Sequence, residues 1–191
     1  MYTAFASVYD RLMADVDYLA WARFYHELME RYGVPRGKVC ECACGTGSIT
    51  IALSKMGYQM TGVDLSPDML FEASQKARRT GAMIPFVRQD MRRLHLHRCM
   101  DAVLCTNDGL NYLKDASELT DFFRAAFLSV REGGALRMLP PNEDSPEGIW
   151  VRAERDGTLT EVTDLASLAS HGWAWKYPDR QGSSTLSLIH I

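Results

Sequence analysis

Two acidic residues, Glu41 and Asp64, have the sequence neighbours of a ligand-binding site. Glu41 lies inside an apolar segment that leads to Gly45 and Gly47, and Asp64 ends the next apolar segment. A carboxylate inside a buried strand needs a partner, because an unpaired charge in an apolar interior is costly. Glycines between a strand and a helix let the backbone approach a ligand, and an acid after the next strand can hold ribose hydroxyls. The spacing therefore predicts a nucleotide-like ligand across the edge of a sheet.

The segments around these residues alternate between strand and helix patterns. Ser66 and Pro67 are typical of a helix start, since serine caps the first amide groups and proline fits the first turn. We predict strands at 39–44, 59–63, 84–87, 101–106 and 135–139, and helices at 18–32, 48–56, 67–79 and 118–131. This alternation favours right-handed βαβ units. We expect an α/β fold: a Rossmann-like, doubly wound, mostly parallel sheet with helices on both faces and incomplete C-terminal strands.

Length and composition favour one globular domain and disfavour nucleic acid and membranes as partners. The 191 residues are 47% hydrophobic and 24% charged, with a net charge of −3. This acidic balance disfavours nucleic acid, and a basic stretch after the third strand is interpreted as a solvated face rather than a phosphate-binding patch: Arg88, Arg92, Arg93, His95, His97 and Arg98. No apolar run approaches the roughly 18 residues of a membrane helix. The first residues lack the basic and then apolar order of a secretory signal, so we expect neither a leader nor a membrane partner.

Three of the five cysteines, Cys40, Cys42 and Cys44, alternate along the first predicted strand. Neighbours along one face of a strand cannot reach disulfide geometry. The pattern also lacks the second ligand cluster that a zinc site needs. We therefore expect buried thiols that pack as small apolar side chains, no metal, and a reducing, cytoplasmic location.

Several short segments, in order, resemble class I S-adenosylmethionine-dependent methyltransferases. Residues 41–47 (ECACGTG) are similar to the first motif of that family, and residues 62–70 (GVDLSPDML) to its second-strand motif. The likeness continues through 86–91 (FVRQDM), 101–105 (DAVLC), 107–112 (NDGLNY) and 131–134 (REGG), and residues 2–10 resemble the lid-like start of small members. Ala43 replaces the first glycine of the commonest motif. The resemblance covers residues 1–139.

The resemblance implies S-adenosyl-L-methionine as the cofactor and gives roles to the residues around the glycine turn. Gly45 and Gly47, with Ala43, would shape the turn beneath the methionine part of the cofactor. Glu41 would orient that turn, and Asp64 would accept hydrogen bonds from both ribose hydroxyls. A different interpretation of Asp64, as an acid at a helix start, stays open.

The resemblance also assigns the adenine and methyl ends of the cofactor. Leu65 and Met91 would flank the adenine, and Asp90 would accept from its exocyclic amine; the alternative for Asp90 is a solvated loop acid. Asn107 would lie near the methyl-donor centre. Tyr9 is either a contact of the sulfonium cation or a core aromatic residue of the first helix.

The chemistry expected of this cofactor is in-line displacement at its methyl carbon, which depends mainly on alignment of the acceptor. A general base helps only acceptors that must lose a proton. The sequence shows no catalytic triad, and the candidate bases are Asp108, His95 and Asp10. Asp108 is equally well explained as a turn residue before Gly109.

The predicted domain organisation changes near residue 139. Residues 1–139 form the cofactor-binding domain, with 1–33 as its lid and helix region, and 140–191 are predicted to be an irregular tail with a weak hairpin at 151–163. Arg137 inside a buried strand and the prolines at 140 and 141 motivate the hypothesis that the reading frame is damaged after about residue 136. Sequencing the source gene tests it, because an intact frame contradicts it.

The predicted function is methyl transfer from S-adenosylmethionine to a small-molecule acceptor. Acceptors at oxygen, nitrogen, carbon and sulfur all stay open, as does the oligomeric state. One alternative is a module that binds the cofactor without turnover. Another is an NAD-dependent oxidoreductase, which Thr50 at the third fingerprint position and the lack of a Tyr-x-x-x-Lys pair disfavour.

Overall fold

The protein is described here by a computed structural model that covers residues 3–31, 33–106, 109–137, 150–153, 159–161, 173–178 and 184–189. The helices are α1 (Thr3–Leu12), α2 (Tyr18–Arg31), α3 (Ser48–Lys55), α4 (Pro67–Arg79) and α5 (Ala116–Ser129). The strands are β1 (Lys38–Cys42), β2 (Gln59–Asp64), β3 (Phe86–Arg88), β4 (Met100–Cys105), β5 (Val130–Arg137), β6 (Trp150–Ala153), β7 (Leu159–Glu161), β8 (Trp173–Pro178) and β9 (Ser184–Ile189). Short 3-10 helices lie at Met91–Arg93 and Gly109–Tyr112.

Within the described ranges, seven strands form one sheet in the order β3-β2-β1-β4-β5-β6-β7. The first five strands in this order pair in parallel, and β6 and β7 add antiparallel pairs. The chain moves outwards from β1 to β3 on one side and from β4 onwards on the other. The order therefore reverses between β1 and β4, and ligands of such sheets bind at this switch point. The predicted α/β class is confirmed.

Helices cover both faces of the sheet, as the sequence predicts. Phe122 of α5 packs with Cys40 and Cys42 on one face. On the other face, Tyr25 of α2 packs in the cluster that contains Val39. Alternate residues of β1 thus enter two cores, which explains its nearly continuous apolar sequence. None of the helices in the described ranges is long and apolar enough to cross a bilayer.

The fifth strand begins earlier than predicted. The sequence predicts a helix to residue 131 that Gly133 and Gly134 end, but α5 ends at Ser129 and β5 begins at Val130. Met100 pairs with Val130 and Ala102 with Ala135, so the register shifts across the two glycines. Glycine suits such an irregularity within a strand, because it has no side chain to pack and its backbone can adopt more conformations. The glycine pair therefore marks a shift in register rather than the end of a helix.

Strands also occupy part of the segment predicted to be an irregular tail. β6 and β7 form the antiparallel hairpin that the sequence predicts weakly at 151–163, and β6 pairs with β5. β8 and β9 pair with each other in a separate two-stranded sheet. The described parts of the segment predicted to be irregular thus contain four strands, whose apolar and β-branched residues suit extended backbone. β5 is paired on both sides rather than lying at the sheet edge.

Candidate cofactor site

A cavity of about 1070 Å³ lies at the carboxyl ends of the parallel strands. Segments that follow β1, β2, β3 and β4 line one side, and residues of the α1–α2 region line the other. The lining includes residues 43–46, 64–69, 89–92 and 106, together with Tyr9, Met13, Val16, Tyr18, Trp21 and Glu41. The cavity thus occupies the switch point that the strand order defines.

The turn between β1 and α3 depends on two glycines in the left-handed region. Gly45 has φ +55° and Gly47 has φ +72°. A Cβ on Gly45 would meet no protein atom within 4 Å, whereas a Cβ on Gly47 would lie 2.9 Å from the ring of Phe86. Gly45 therefore leaves open space on the wall of the cavity, and Gly47 allows close packing beneath the turn.

Asp64, the last residue of β2, is joined to this turn through the backbone. Its Oδ2 accepts a hydrogen bond from the amide of Gly45 at 2.8 Å, and its Oδ1 accepts from the amide of Ser66 at 2.9 Å. The two bonds fix the carboxylate at the wall of the cavity. Each carboxylate oxygen can accept about two hydrogen bonds, so both retain capacity for a further donor. Asp64 is therefore both an acid at a helix start and a cavity residue, and the two interpretations are compatible.

Glu41 lies at the base of the cavity, with 1% of its surface exposed. Thr50 of α3 donates to its Oε2, and Thr106, directly after β4, donates to its Oε1 at 2.5 Å. Burial raises the pKa of Glu41 to about 7, although the two threonine hydroxyls favour the ionised form and oppose the rise. The charge of Asp64 raises this pKa further. The carboxyl group therefore changes its protonation near neutral pH.

An ion-pair cluster forms the wall of the cavity next to β3. The guanidinium of Arg92 donates from Nε to Asp90 Oδ1 at 2.9 Å, from Nη2 to Asp90 Oδ2 at 2.5 Å and from Nη1 to Glu118 Oε1. These bonds from Arg92 hold the pKa of Asp90 below its usual range. The sequence predicts Arg92 to be part of a solvated basic face. Arg92 instead lines the cavity and joins the segment after β3 to α5.

Most of the residues predicted for cofactor binding line this one cavity. They are Tyr9, Glu41, Ala43, Gly45, Asp64, Leu65, Asp90 and Met91. Gly47 lies beneath the turn and is not among the lining residues. Asn107 and the candidate base Asp108 lie outside the described residues. Leu65 is 58% exposed, so an apolar face is present where the resemblance puts the adenine ring.

The other two candidate bases lie outside the cavity lining. His95 is exposed, and its backbone exchanges hydrogen bonds with the side chain of Gln89. Asp10 forms an ion pair with Lys76 of α4 at 2.5 Å. Neither side chain is among the residues that line the cavity.

Sequence reasoning missed the partners that hold the predicted acids. Thr50 departs from the dinucleotide fingerprint, and its hydroxyl donates to Glu41. Thr106, Arg92 and Lys76 reach their partners across long stretches of sequence. The sequence offered one signal for each threonine. Thr106 is a polar residue at the end of a predicted strand, and Thr50 is a polar residue within a predicted helix that packs on the sheet.

The arrangement fits an adenosyl cofactor. A carboxylate with spare acceptor capacity, a bare glycine backbone and an exposed leucine all border the same cavity. Ribose hydroxyls can donate to the carboxylate. The charged amino-acid group can approach the glycine backbone, and the aromatic base can pack on the leucine. In the part of the chain that the structure describes, no group of three or more His, Cys, Asp or Glu side chains could hold a metal ion.

Comparisons with known proteins give the same class. Residues 39–134 match the family model for a methyltransferase domain. The chain is 36% identical over 137 residues to "Putative methyltransferase YqeM" of Bacillus subtilis (strain 168), covering 71% of this chain and 53% of that protein. It is 30% identical over 123 residues to a glycine/sarcosine N-methyltransferase of Aphanothece halophytica, covering 63% and 46% of the two chains. The chain spans about half the length of these curated relatives.

Solved structures agree with this match. The crystal structure of an S-adenosylmethionine-dependent methyltransferase from Clostridium acetobutylicum ATCC 824 has a TM-score of 0.63 and 35% identity, covering 71% of this chain and 55% of that chain. Fold and site together are therefore those of the S-adenosylmethionine-dependent methyltransferase class. The chain belongs to the methyltransferase-domain family, which confirms the predicted family and cofactor and favours them over the nicotinamide alternative.

Proposed function

We propose that this chain binds S-adenosylmethionine across the carboxyl ends of β1 and β2 and transfers its methyl group to a small-molecule acceptor. The observation that carries the proposal is the hydrogen bond between Gly45 and Asp64 at the wall of one cavity. This bond joins Asp64, the predicted acceptor of the ribose hydroxyls, to the turn that is predicted to lie beneath the methionine part of the cofactor. The buried thiols are consistent with a cytoplasmic location, which stays a prediction.

Each end of the cofactor has candidate contacts. Asp64 would accept from the ribose hydroxyls, and Glu41 would lie near the charged amino group. Leu65 and Met91 would flank the adenine, and Asp90, held by Arg92, would accept from its amine. Tyr9 would approach from the α1 side. These contacts leave part of the cavity for an acceptor.

The bound cofactor would supply a methyl group already activated on a positively charged sulfur. An acceptor lone pair would form the new bond to carbon as the carbon–sulfur bond breaks, leaving S-adenosylhomocysteine. The residues of the chain would contribute alignment and exclusion of water, which can supply about 7–11 kcal/mol of barrier reduction. No residue is assigned as a base, because Asp10 is ion-paired and His95 is outside the cavity.

The test has two stages with the purified chain. Calorimetry with S-adenosylmethionine should show binding with one site per chain. Incubation with a panel of small amines, carboxylic acids, phenols and thiols should then release S-adenosylhomocysteine with at least one acceptor class. Binding without release from any class would support the alternative of a binding module without turnover, and no binding would contradict the proposal.

A further inference from the structure

The helix that closes one side of the cavity is tied to the glycine turn by a polar cluster. Asp10 of α1 forms an ion pair with Lys76 of α4 at 2.5 Å and accepts from the hydroxyl of Thr46 at 2.6 Å. Lys76 also donates to Thr46 at 3.0 Å and to Ser48 at 2.9 Å. Thr46 lies between the two glycines of the turn and is 2% exposed. A single cluster therefore connects α1, α4 and the turn.

The same helix and the turn after it present residues to the cavity. Tyr9, next to Asp10, lines it, and Met13 and Val16 line it from the turn that follows α1. In the described part of the chain, α1 packs mainly against α4. The contacts of α1 with α4 and with the turn therefore help to hold Tyr9 at the cavity.

We propose that Asp10 and Lys76 form a latch that holds α1 over the adenosyl ligand and limits the rate at which this ligand leaves. The inference rests on the proposed function, since it takes the cavity as the adenosyl site. Asp10 and Lys76 are positioning residues, because they act through α1 and the turn rather than by lining the cavity.

The exposure of the pair sets the expected size of the effect. The Asp10 side chain is 42% exposed and the Lys76 side chain 19%, so solvent and salt partly screen the attraction. Hydrogen bonds to charged groups are nevertheless stronger than neutral ones. Breaking the latch should therefore raise the dissociation rate by roughly threefold to tenfold. The rate of the unaltered protein should rise with salt concentration, and that of latch variants should change less.

The experiment measures dissociation of S-adenosylhomocysteine by stopped flow, using the intrinsic tryptophan fluorescence of the protein, to which Trp21 at the cavity wall contributes. The variants are Asp10→Asn, Lys76→Met and the charge exchange Asp10→Lys with Lys76→Asp, and the matched control is Asp15→Asn at an exposed acid near the end of α1. Each single latch variant should speed dissociation, and the exchange should restore a slow rate. Such rescue distinguishes a latch from general damage to the fold.

Unchanged dissociation in both single variants would overturn the latch. So would equal acceleration by Asp15→Asn, or an exchange variant that is no slower than the single variants. Lys76→Met keeps the test valid if Asp10→Asn does not fold. Asp64→Asn is measured in parallel: if it weakens binding while the latch variants behave as the unaltered protein, the latch fails and the proposed site survives. Absence of binding to the unaltered protein is instead a failure of the proposed function.

Discussion

The base and the rim of the cavity hold their charges in different ways. At the base, Glu41 is almost fully buried and its two oxygens accept from neutral threonine hydroxyls. At the rim, Asp90 pairs with Arg92, and beside the cavity Asp10 pairs with Lys76; all four side chains are partly exposed. Burial raises the pKa of Glu41, whereas the bonds from Arg92 lower the pKa of Asp90.

This difference indicates how each region should respond to solution conditions. The base should respond to pH, because Glu41 titrates near neutrality. The rim should respond to salt, because exposed ion pairs are screened within about 8–10 Å at ordinary ionic strength. Substitutions in each region test whether the two regions respond in these different ways.

The largest expected effect is the pH dependence of stability that Glu41 causes. Its pKa rises from 4.5 in the unfolded chain to about 7 in the folded protein, so the folded protein holds the proton to a higher pH. The contribution of Glu41 to the free energy of unfolding should therefore be fully present below pH 4.5 and be lost, by up to about 3 kcal/mol, as the pH rises through 7. Urea unfolding at pH 5 and pH 8 should show this loss, and Glu41→Gln should lack it.

Glu27→Gln, at an exposed acid of α2, is the matched control for that measurement. It should keep the pH dependence of the unaltered protein. An equal pH dependence in Glu41→Gln and in the unaltered protein would show that Glu41 is not the group responsible.

A smaller effect is expected when a single donor to Glu41 is removed. Thr106→Val keeps the shape of the side chain but leaves Oε1 without its hydroxyl partner. The free energy of unfolding should fall by about 1–3 kcal/mol, and the pKa of Glu41 should rise further because a donor to its ionised form is lost. Thermal unfolding across pH should show both changes, and Thr106→Ser should reverse them. A Thr106→Val variant as stable as Thr106→Ser would contradict this role.

The smallest effect on stability is expected at the rim. Arg92→Lys keeps the positive charge but loses the planar fork that binds Asp90 and Glu118 together. Stability should change little, because these side chains are partly exposed and solvent screens their attraction. The affinity for S-adenosylhomocysteine should fall a few-fold in calorimetry if Asp90 is held for the adenine. Arg93→Lys is the neighbouring control, and an equal loss of affinity in both variants would contradict a specific role for Arg92.

The sequence predicted those features that depend on neighbours along the chain. Ser66 and Pro67 start α4 as expected, and the side chain of Ser66 accepts from the amide of Met69. The glycine turn and Asp64 were located from short motifs, and parallel pairing of Glu41 with Gly62 brings the two segments together. Such features follow from capping, turn geometry and strand alternation, which are local.

Contacts between distant segments were not predictable in the same way. Nothing beside Thr106 in the sequence indicates that its hydroxyl reaches Glu41, and nothing beside Arg92 indicates Glu118. The start of β5 was wrong because Gly133 and Gly134 are equally typical of a helix end and of an irregular strand. Pairing with β4 decided between them, and this pairing depends on the whole sheet.

Asp64 is proposed to hold the adenosyl ligand at the glycine turn. Calorimetry of S-adenosylhomocysteine binding to Asp64→Asn tests it directly, with Asp68→Asn, at another acid that lines the cavity, as the control of equal charge. With circular dichroism confirming the fold of both variants, Asp64→Asn should bind about tenfold to a hundredfold more weakly, because a charged acceptor of hydroxyl groups is lost. Asp68→Asn should bind nearly as well as the unaltered protein. Unchanged affinity in a folded Asp64→Asn variant would contradict the account.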